Sequence, residues 1–490
     1  ATGLGVAVDA SSRGYRVLLV EQHDFAKATS SRSTKLVHGG VRYLQQGDVS
    51  MVVEALHERG RLWRNAPHLV KDMRFIIGNY RWWERPFYTI GLCCYDLLAG
   101  RLGLGRSLPL SKKQTLKELP GLLHDHLRGG VVYHDGQFDD SRMAITLLQS
   151  AHDHGAICIN YMKVTSLIKN DSGKICGAAL EDTLEGGTYE VNVKGVVNAT
   201  GVYVDDIMQM DKPESRKKVR PSQGVHIVVD AAFLGGNSAL MIPKTRDGRV
   251  LFGVPWHGKA VLGTTDTPLN ENSLEPKPLD EEIDFILDQA GQYLTRKPKR
   301  SDVLSVFAGL RPLAAPTHSD SKKTKEISRN HKIYVSDSGM LTITGGKWTT
   351  YRQMAEEAVN KVAALIGLEP RACVTRKMQL HGYREEVDRS VWDYVYGSDA
   401  DQIAALIEND ASLGELLHIG YTFRVAHVIW AVREEMAQTV EDVLARRVRA
   451  LFMDARAAME MAPRVAAIMA PEIGKRNKLK ILPIWQKIIF

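Results

Sequence analysis

The sequence predicts a mixed α/β chain, α+β overall: a Rossmann-like nucleotide-binding domain, an antiparallel-sheet domain and a helical C-terminal domain. Three observations predict it. A small-residue helix runs into an apolar strand closed by an acid, ATGLGVAVDASSRGYRVLLVE, residues 1–21. Short strand patterns separated by turn residues fill the middle of the chain. From about Glu369 the pattern becomes helices only, rich in Ala, Arg and Met. At 490 residues the length fits several domains, since a domain averages roughly 150 residues.

Composition narrows the class. Hydrophobic content of 44% and charged content of 25% are ordinary globular values. The net charge of +7 suits anionic substrates or an anionic membrane surface, and is too weak and dispersed to argue for nucleic acid. Cys93, Cys94, Cys158, Cys176 and Cys373 lack CxxC spacing and read as reduced thiols with no metal cluster. Without a signal-peptide pattern or an apolar run of about 20 residues, the expectation is a soluble or peripheral cytoplasmic protein.

Taken in order, Gly3 and Gly5 open a helix carrying Val6, Ala7, Val8 and Ala10, Gly14 stops it, and Val17 to Val20 reads as a buried strand. Glu21 stands 18 residues after Gly3, where an acidic side chain accepts hydrogen bonds from ribose hydroxyls. Glycine lets backbone approach a pyrophosphate, and a helix N-terminus favours its charge. On this reading a first strand and two further glycines lie upstream of Ala1. A plain small-residue helix packed on a strand would look the same.

Nine residues beyond Glu21 begins SSRSTKLVHGGVRYL, Ser30 to Leu44. It joins small hydroxyls, paired glycines and cations with a His and a Tyr, a mixture suited to a cofactor's phosphates followed by a charged substrate. Val49 to Arg64 then reads as a helix, and Asp140 as the cap of another from Ser141 to His154, closed by Gly155. Lys163 to Lys169 and Lys174 to Leu180 form a hairpin about an Asn-Asp-Ser-Gly turn, with a third strand after it. GVVNATG, Gly195 to Gly201, is an apolar strand ending in small residues. Val225 to Val229, Val250 to Val254 and Ala260 to Gly263 are short strands of another sheet, and Asp280 to Tyr293 is a helix. TGGKWTTYR, Thr344 to Arg352, is a strand end, two glycines and a helix start that Thr349 or Thr350 can cap. Such a helix start could favour a ligand's negative charge, and an ordinary strand–turn–helix with a capped start would look the same.

ATGLG…VLLVE, SSRSTKLVHGGVRYL, NATG, GVHIVV, GTTDT, FAGLRPL and GGKWTTYR occur in this order. Together they resemble the FAD-dependent sn-glycerol-3-phosphate dehydrogenases, which share a fold with D-amino-acid and glycine oxidases. The resemblance covers roughly residues 1–367, and the helical tail carries no matching motif. It implies a discontinuous FAD-binding domain (1–60, 140–205 and 300–368), a substrate-binding domain (61–139 and 206–299) and a C-terminal helical domain (369–490). It implies that Gly3, Gly5 and Glu21 belong to the FAD phosphate and ribose site, and that Ser30, Ser31, Thr34, Lys35, Leu36 and His38 continue along the cofactor. Val164 would offer backbone to the adenine side, Ala199, Thr200 and Gly201 would pack on FAD, and Gly346, Lys347 and Thr349 would close over the flavin. Arg42, Tyr43, His226, Arg311, Arg329 and Lys347 would surround glycerol 3-phosphate. No metal is implied.

The chemistry fits those residue types. Arginine's planar fork binds phosphate oxygens directionally, which suits Arg311 and Arg329. A neutral imidazole can take the proton of the secondary hydroxyl, so His226 is the candidate base, with Lys347 and Arg42 stabilising a developing alkoxide. Each also has a bland reading. A His in an apolar strand is often structural, an Arg before Pro is often a salt-bridge donor, and Arg329 lies in the basic run Lys322 to Lys332. Asp266 reads as a turn residue. Arg81 to Arg106 suits either an interfacial segment or a core helix, and the basic tail Lys475 to Phe490 could graze anionic lipid. The resemblance favours a quinone as electron acceptor, with docking on the inner face of the cytoplasmic membrane. The alternatives are an oxygen-using oxidase, an amine or amino-acid oxidase, or a fragment unable to hold FAD. A homodimer is a reasonable expectation.

Overall fold

The computed structural model describes residues 1–45, 47–315 and 331–488, and their side chains except those of residues 42, 45 and 475–488. The N-terminal helix Thr2–Ser12 ends before Gly14, whose φ of +79° turns the chain toward the strand Leu18–Val20. That strand is half-buried rather than buried, because its one parallel partner is Ile157–Ile159. A second parallel pair, Val197–Asn198 with Leu341–Thr344, is extended by antiparallel Lys332–Val335. The helices Asp140–Asp153 and Tyr351–Leu365 pack against the first helix and complete the α/β unit. Gly5 makes that packing possible, since a Cβ there would stand 2.8 Å from the Tyr351 ring. The expected hairpin appears as Met162–Lys169 and Ile175–Asp182, with Thr188–Asn192 beside it.

The second layer is a ten-stranded sheet, antiparallel apart from one parallel contact between Ala239–Ile242 and Lys71–Asn79. Its longest pairing joins Val219–Asp230 to Ser305–Ala314 over ten residue pairs. Ser305–Ala314 was expected with the FAD-binding segments, but these backbone hydrogen bonds put it in the large sheet. Leu36–Val37 likewise pairs with Gly129–Gln137 of that sheet. The opening loop therefore passes from one layer to the other.

Helix expectations hold to within a few residues, with an instructive exception at a cap. Asp139, not Asp140, caps the helix Asp140–Asp153, its Oδ1 accepting from the Ser141 and Arg142 N–H groups. Asp140 is freed for a different task. Helices do dominate from residue 399 onward, including Asp399–Asn409, Val425–Arg433 and the 34-residue Ala455–Ile488. Residues 369–391 are mostly irregular, against the expectation of helices alone. One apolar core runs unbroken from Leu4 and Phe25 through Met143 and Leu148 to Val443 and Met461. The C-terminal domain is thus packed on the α/β unit, not appended to it.

Candidate active site

Two neighbouring strands build the floor of the site. In the register of Val219–Asp230 on Ser305–Ala314, Ser222 faces Arg311, Gly224 faces Gly309, and His226 faces Phe307. Directly paired residues share a face of a sheet, so Arg311 and His226 project to the same side. Gly224 is needed there, because the Arg311 guanidinium lies where its Cβ would be. Thr264 accepts from Arg311 Nη2 at 3.1 Å, and Asp266 lies 3.4 Å from Nη1. Asp266 also accepts a short hydrogen bond from Ser222, so it orients the arginine and is more than the turn residue expected.

His226 is buried, stacked on Phe307 with ring centroids 4.9 Å apart, and its Nε2 lies 2.9 Å from Thr34 Oγ1. Burial above all, then the positive charges of Lys35 and Arg311, push its pKa well below the ordinary histidine value. The ring is therefore neutral at physiological pH, as a proton acceptor must be. Its Nδ1 is buried with no hydrogen-bond partner among the described residues.

The opening loop and the GGKWTTYR loop are stitched together above this floor. The Trp348 indole N–H donates to Ser30 O at 2.8 Å, and the His38 N–H donates to Thr349 Oγ1 at 3.1 Å. The Thr349 hydroxyl is thus used across the seam, and neither threonine makes the side-chain cap expected for helix Tyr351–Leu365. Gly345 and Gly346 take φ values of +80° and +76°, a backbone shape that favours glycine. They deliver Lys347, whose Nζ sits 4.1 Å above the Tyr43 ring. Tyr43 folds back beneath Gly40, at φ +75°, leaving no room for a Cβ there. Arg42 lies in the same short helix, Val41–Gln45, but its side chain, like all of Arg329, is outside the described residues.

The remaining predicted residues are spread over the α/β unit, its hairpin and the start of the large sheet. A Cβ on Gly3 would stand between Ala199 and Leu19, at 3.8 and 4.0 Å. Glu21 accepts the His23 N–H on Oε1 at 3.0 Å, and burial raises its pKa despite that bond. A backbone hydrogen bond from Gln22 also favours its charged form. The buried Ser31 hydroxyl has no hydrogen-bond partner among the described residues. Thr200 bonds to Asn198, and Gly201 turns at φ +63°. Val164 is half-buried opposite Leu180. Leu36 is core. An unmet buried hydroxyl beside glycine-bearing backbone fits a dinucleotide's phosphates.

Lys35 departs from expectation. Its fully buried ammonium donates to Asp140 Oδ2 and Ser31 O, each at 2.7 Å, a pairing the sequence did not suggest. Sequence reasoning missed Asp140, Thr264 and Phe307. Phe307 was within reach, since period-two alternation in FAGLRPL places Phe307 and Arg311 on one face. Nothing local marks Asp140, whose partners come from residues 33, 35 and 449.

Comparison with known proteins finds matches over nearly the whole chain. The family model described as FAD dependent oxidoreductase matches residues 1–352, and that of the C-terminal domain of alpha-glycerophosphate oxidase matches 341–480. The tail thus has a family match that its motifs did not reveal. A probable mitochondrial glycerol-3-phosphate dehydrogenase of Caenorhabditis elegans is 40% identical over 97% of this chain and 69% of its own length. A mitochondrial glycerol-3-phosphate dehydrogenase of Arabidopsis thaliana is 40% identical over 96% of this chain and 81% of its own length. The solved glycerol-3-phosphate dehydrogenase of Bacillus halodurans, complexed with FAD, matches with a TM-score of 0.75 and 30% identity, covering 98% of this chain and 92% of that one.

Proposed function

Given that the chain belongs to the FAD-dependent glycerol-3-phosphate dehydrogenases, we propose which of its residues carry the oxidation and where the electrons go. Bound FAD supplies the hydride acceptor. Gly3, Glu21, Ser30, Ser31 and Thr34 hold it along the opening loop, with Gly346 and Thr349 closing from the other side. Arg311 anchors the substrate phosphate, held to its direction by Thr264 and Asp266. Arg42, Tyr43 and Arg329 complete the pocket. His226 takes the proton of the secondary hydroxyl, and Lys347 stabilises the developing oxyanion.

The shared strand face of His226 and Arg311 carries this reading, because it sets a neutral base and a phosphate anchor side by side. Anaerobic addition of glycerol 3-phosphate should bleach the flavin's visible absorbance, and amino acids should not. His226→Ala should lower kcat by about 10³-fold with KM changed less than threefold. An unchanged kcat removes His226 from the base role.

For the acceptor, a quinone at a membrane surface is supported by helix Glu84–Ala99. Phe87, Ile90 and Leu97 on it are 53, 66 and 81% exposed, and Trp82 beside it is 77% exposed. Exposed Arg81, Arg85, Arg101 and Arg106 flank that apolar face, a pattern suited to lying in an anionic interface. No helix among the described residues is long and apolar enough to cross a membrane. The match to an oxidase C-terminal domain favours a second reading, with oxygen as acceptor. Turnover with a short-chain quinone and negligible peroxide supports the first reading, and rapid peroxide release supports the second.

A further inference from the structure

Arg449 stands in the C-terminal domain at φ +66°, with its side chain fully buried. It reaches across the domain seam to the opening loop. Its Nη2 donates to Ser31 O at 3.0 Å and to Asp140 Oδ1 at 2.9 Å, and its Nη1 donates to Ala445 O at 2.7 Å. Lys35 grips the same two acceptors, Ser31 O and the Asp140 carboxylate. Asp140 also takes the Ser33 N–H at 2.9 Å, the Ser33 hydroxyl at 2.7 Å and the Ser141 N–H at 2.9 Å. One peptide carbonyl therefore receives two cations, and one carboxylate receives five donors. A single N–H would satisfy that carbonyl. Two charged donors from opposite sides add direction, fixing where residues 31 to 35 run.

We propose that Arg449 is a positioning residue for the cofactor: with Lys35 and Asp140 it holds the backbone of Ser31 to Lys35 in the shape that receives FAD. The C-terminal domain then governs flavin retention through the loop, from the far side of the cofactor path. This rests on the reading of that loop as part of the FAD site. Arg449 itself needs no contact with FAD.

Arg447 is the internal control. It is as fully buried, in the same cluster, but donates to Asp24 and Glu435 O and touches neither Ser31 nor Asp140. The experiment titrates FAD into the flavin-stripped full chain and records the bound flavin's visible circular dichroism. Arg449→Met should raise the FAD dissociation constant at least tenfold and alter the dichroism, and Arg449→Lys should recover part of both. Arg447→Met should lower the melting temperature while the folded protein's FAD affinity stays within twofold. If Arg449→Met does not fold, Arg449→Lys against Arg447→Lys makes the same comparison. Equal loss of FAD affinity in the 449 and 447 variants, or none in either, overturns the proposal. Ser30→Asp, which sets a negative charge against FAD phosphates, separates the two levels. If it leaves affinity intact, the loop reading fails. If it weakens binding while Arg449 variants do not, only the positioning role fails.

Discussion

The floor of the site and the domain seam behind it both concentrate charge, and they handle it in opposite ways. In the seam, Lys35, Arg142, Arg446, Arg447 and Arg449 meet Asp24, Asp139, Asp140, Glu435 and Asp442, five cations against five anions, all buried. Most of these pairs lie between 2.5 and 2.9 Å. In the floor, Arg311 lies 3.4 Å from Asp266 and donates to the Thr264 hydroxyl, and Lys347 lies over an aromatic ring. A balanced buried network fixes geometry, because every charge has partners that would be costly to strand. Arg311 is partly exposed, so an incoming anion can reach it. The seam fixes shape, and the floor is where the proposed substrate would meet charge.

The comparison breaks most sharply if the floor's charge turns out to be structural. Arg311→Met should lower kcat/KM for glycerol 3-phosphate by about 10³-fold, since removing one partner of a desolvated charge pair costs roughly 4 kcal/mol. Its urea midpoint should stay near that of the parent, and a large loss of stability with intact kinetics would place Arg311 among the structural ions instead. A smaller effect is expected where the two loops meet. Gly346→Ala forces a Cβ at φ +76° against the Met354 side chain, costing ~2 kcal/mol in chemical denaturation and weakening flavin binding.

The smallest effect tests the rim of the seam. His381 links Asp153 at 2.8 Å to Asp399 at 2.9 Å. Burial opposes its charge, but hydrogen bonds to both carboxylates outweigh that and raise its pKa to about 10. The folded state thus binds the proton more tightly than the unfolded chain, whose histidine titrates near 6.5. The wild type should exceed His381→Gln in stability by its full margin below pH 6.5, with the margin shrinking as pH rises toward 10. A margin that grows with pH would contradict the pairing.

Legibility followed the same division. The floor could be read because strand alternation is local: GVHIVV and FAGLRPL each announce which residues share a face. The two loops stood out because paired glycines mark turns with positive φ, as Gly345 and Gly346 show. The seam could not be read, because the chain says nothing local about residues 309 positions apart, such as Asp140 and Arg449. Lys35 shows the limit well. Its place in SSRSTKLVHGG pointed to the cofactor, and nothing local announced that its ammonium would meet Asp140. Asp140 was similarly expected as a cap, and Asp139 took that role.

By itself the sequence determined the element types, the two glycine-bearing loops and the family to which the chain belongs, because these depend on periodicity, turn chemistry and short motifs. Only the tertiary structure decided that Ser305–Ala314 joins the large sheet, that His226 meets Thr34, and that Arg449 of the C-terminal domain grips the opening loop. Those contacts join distant residues, and their strength depends on burial and on partners that no local pattern specifies.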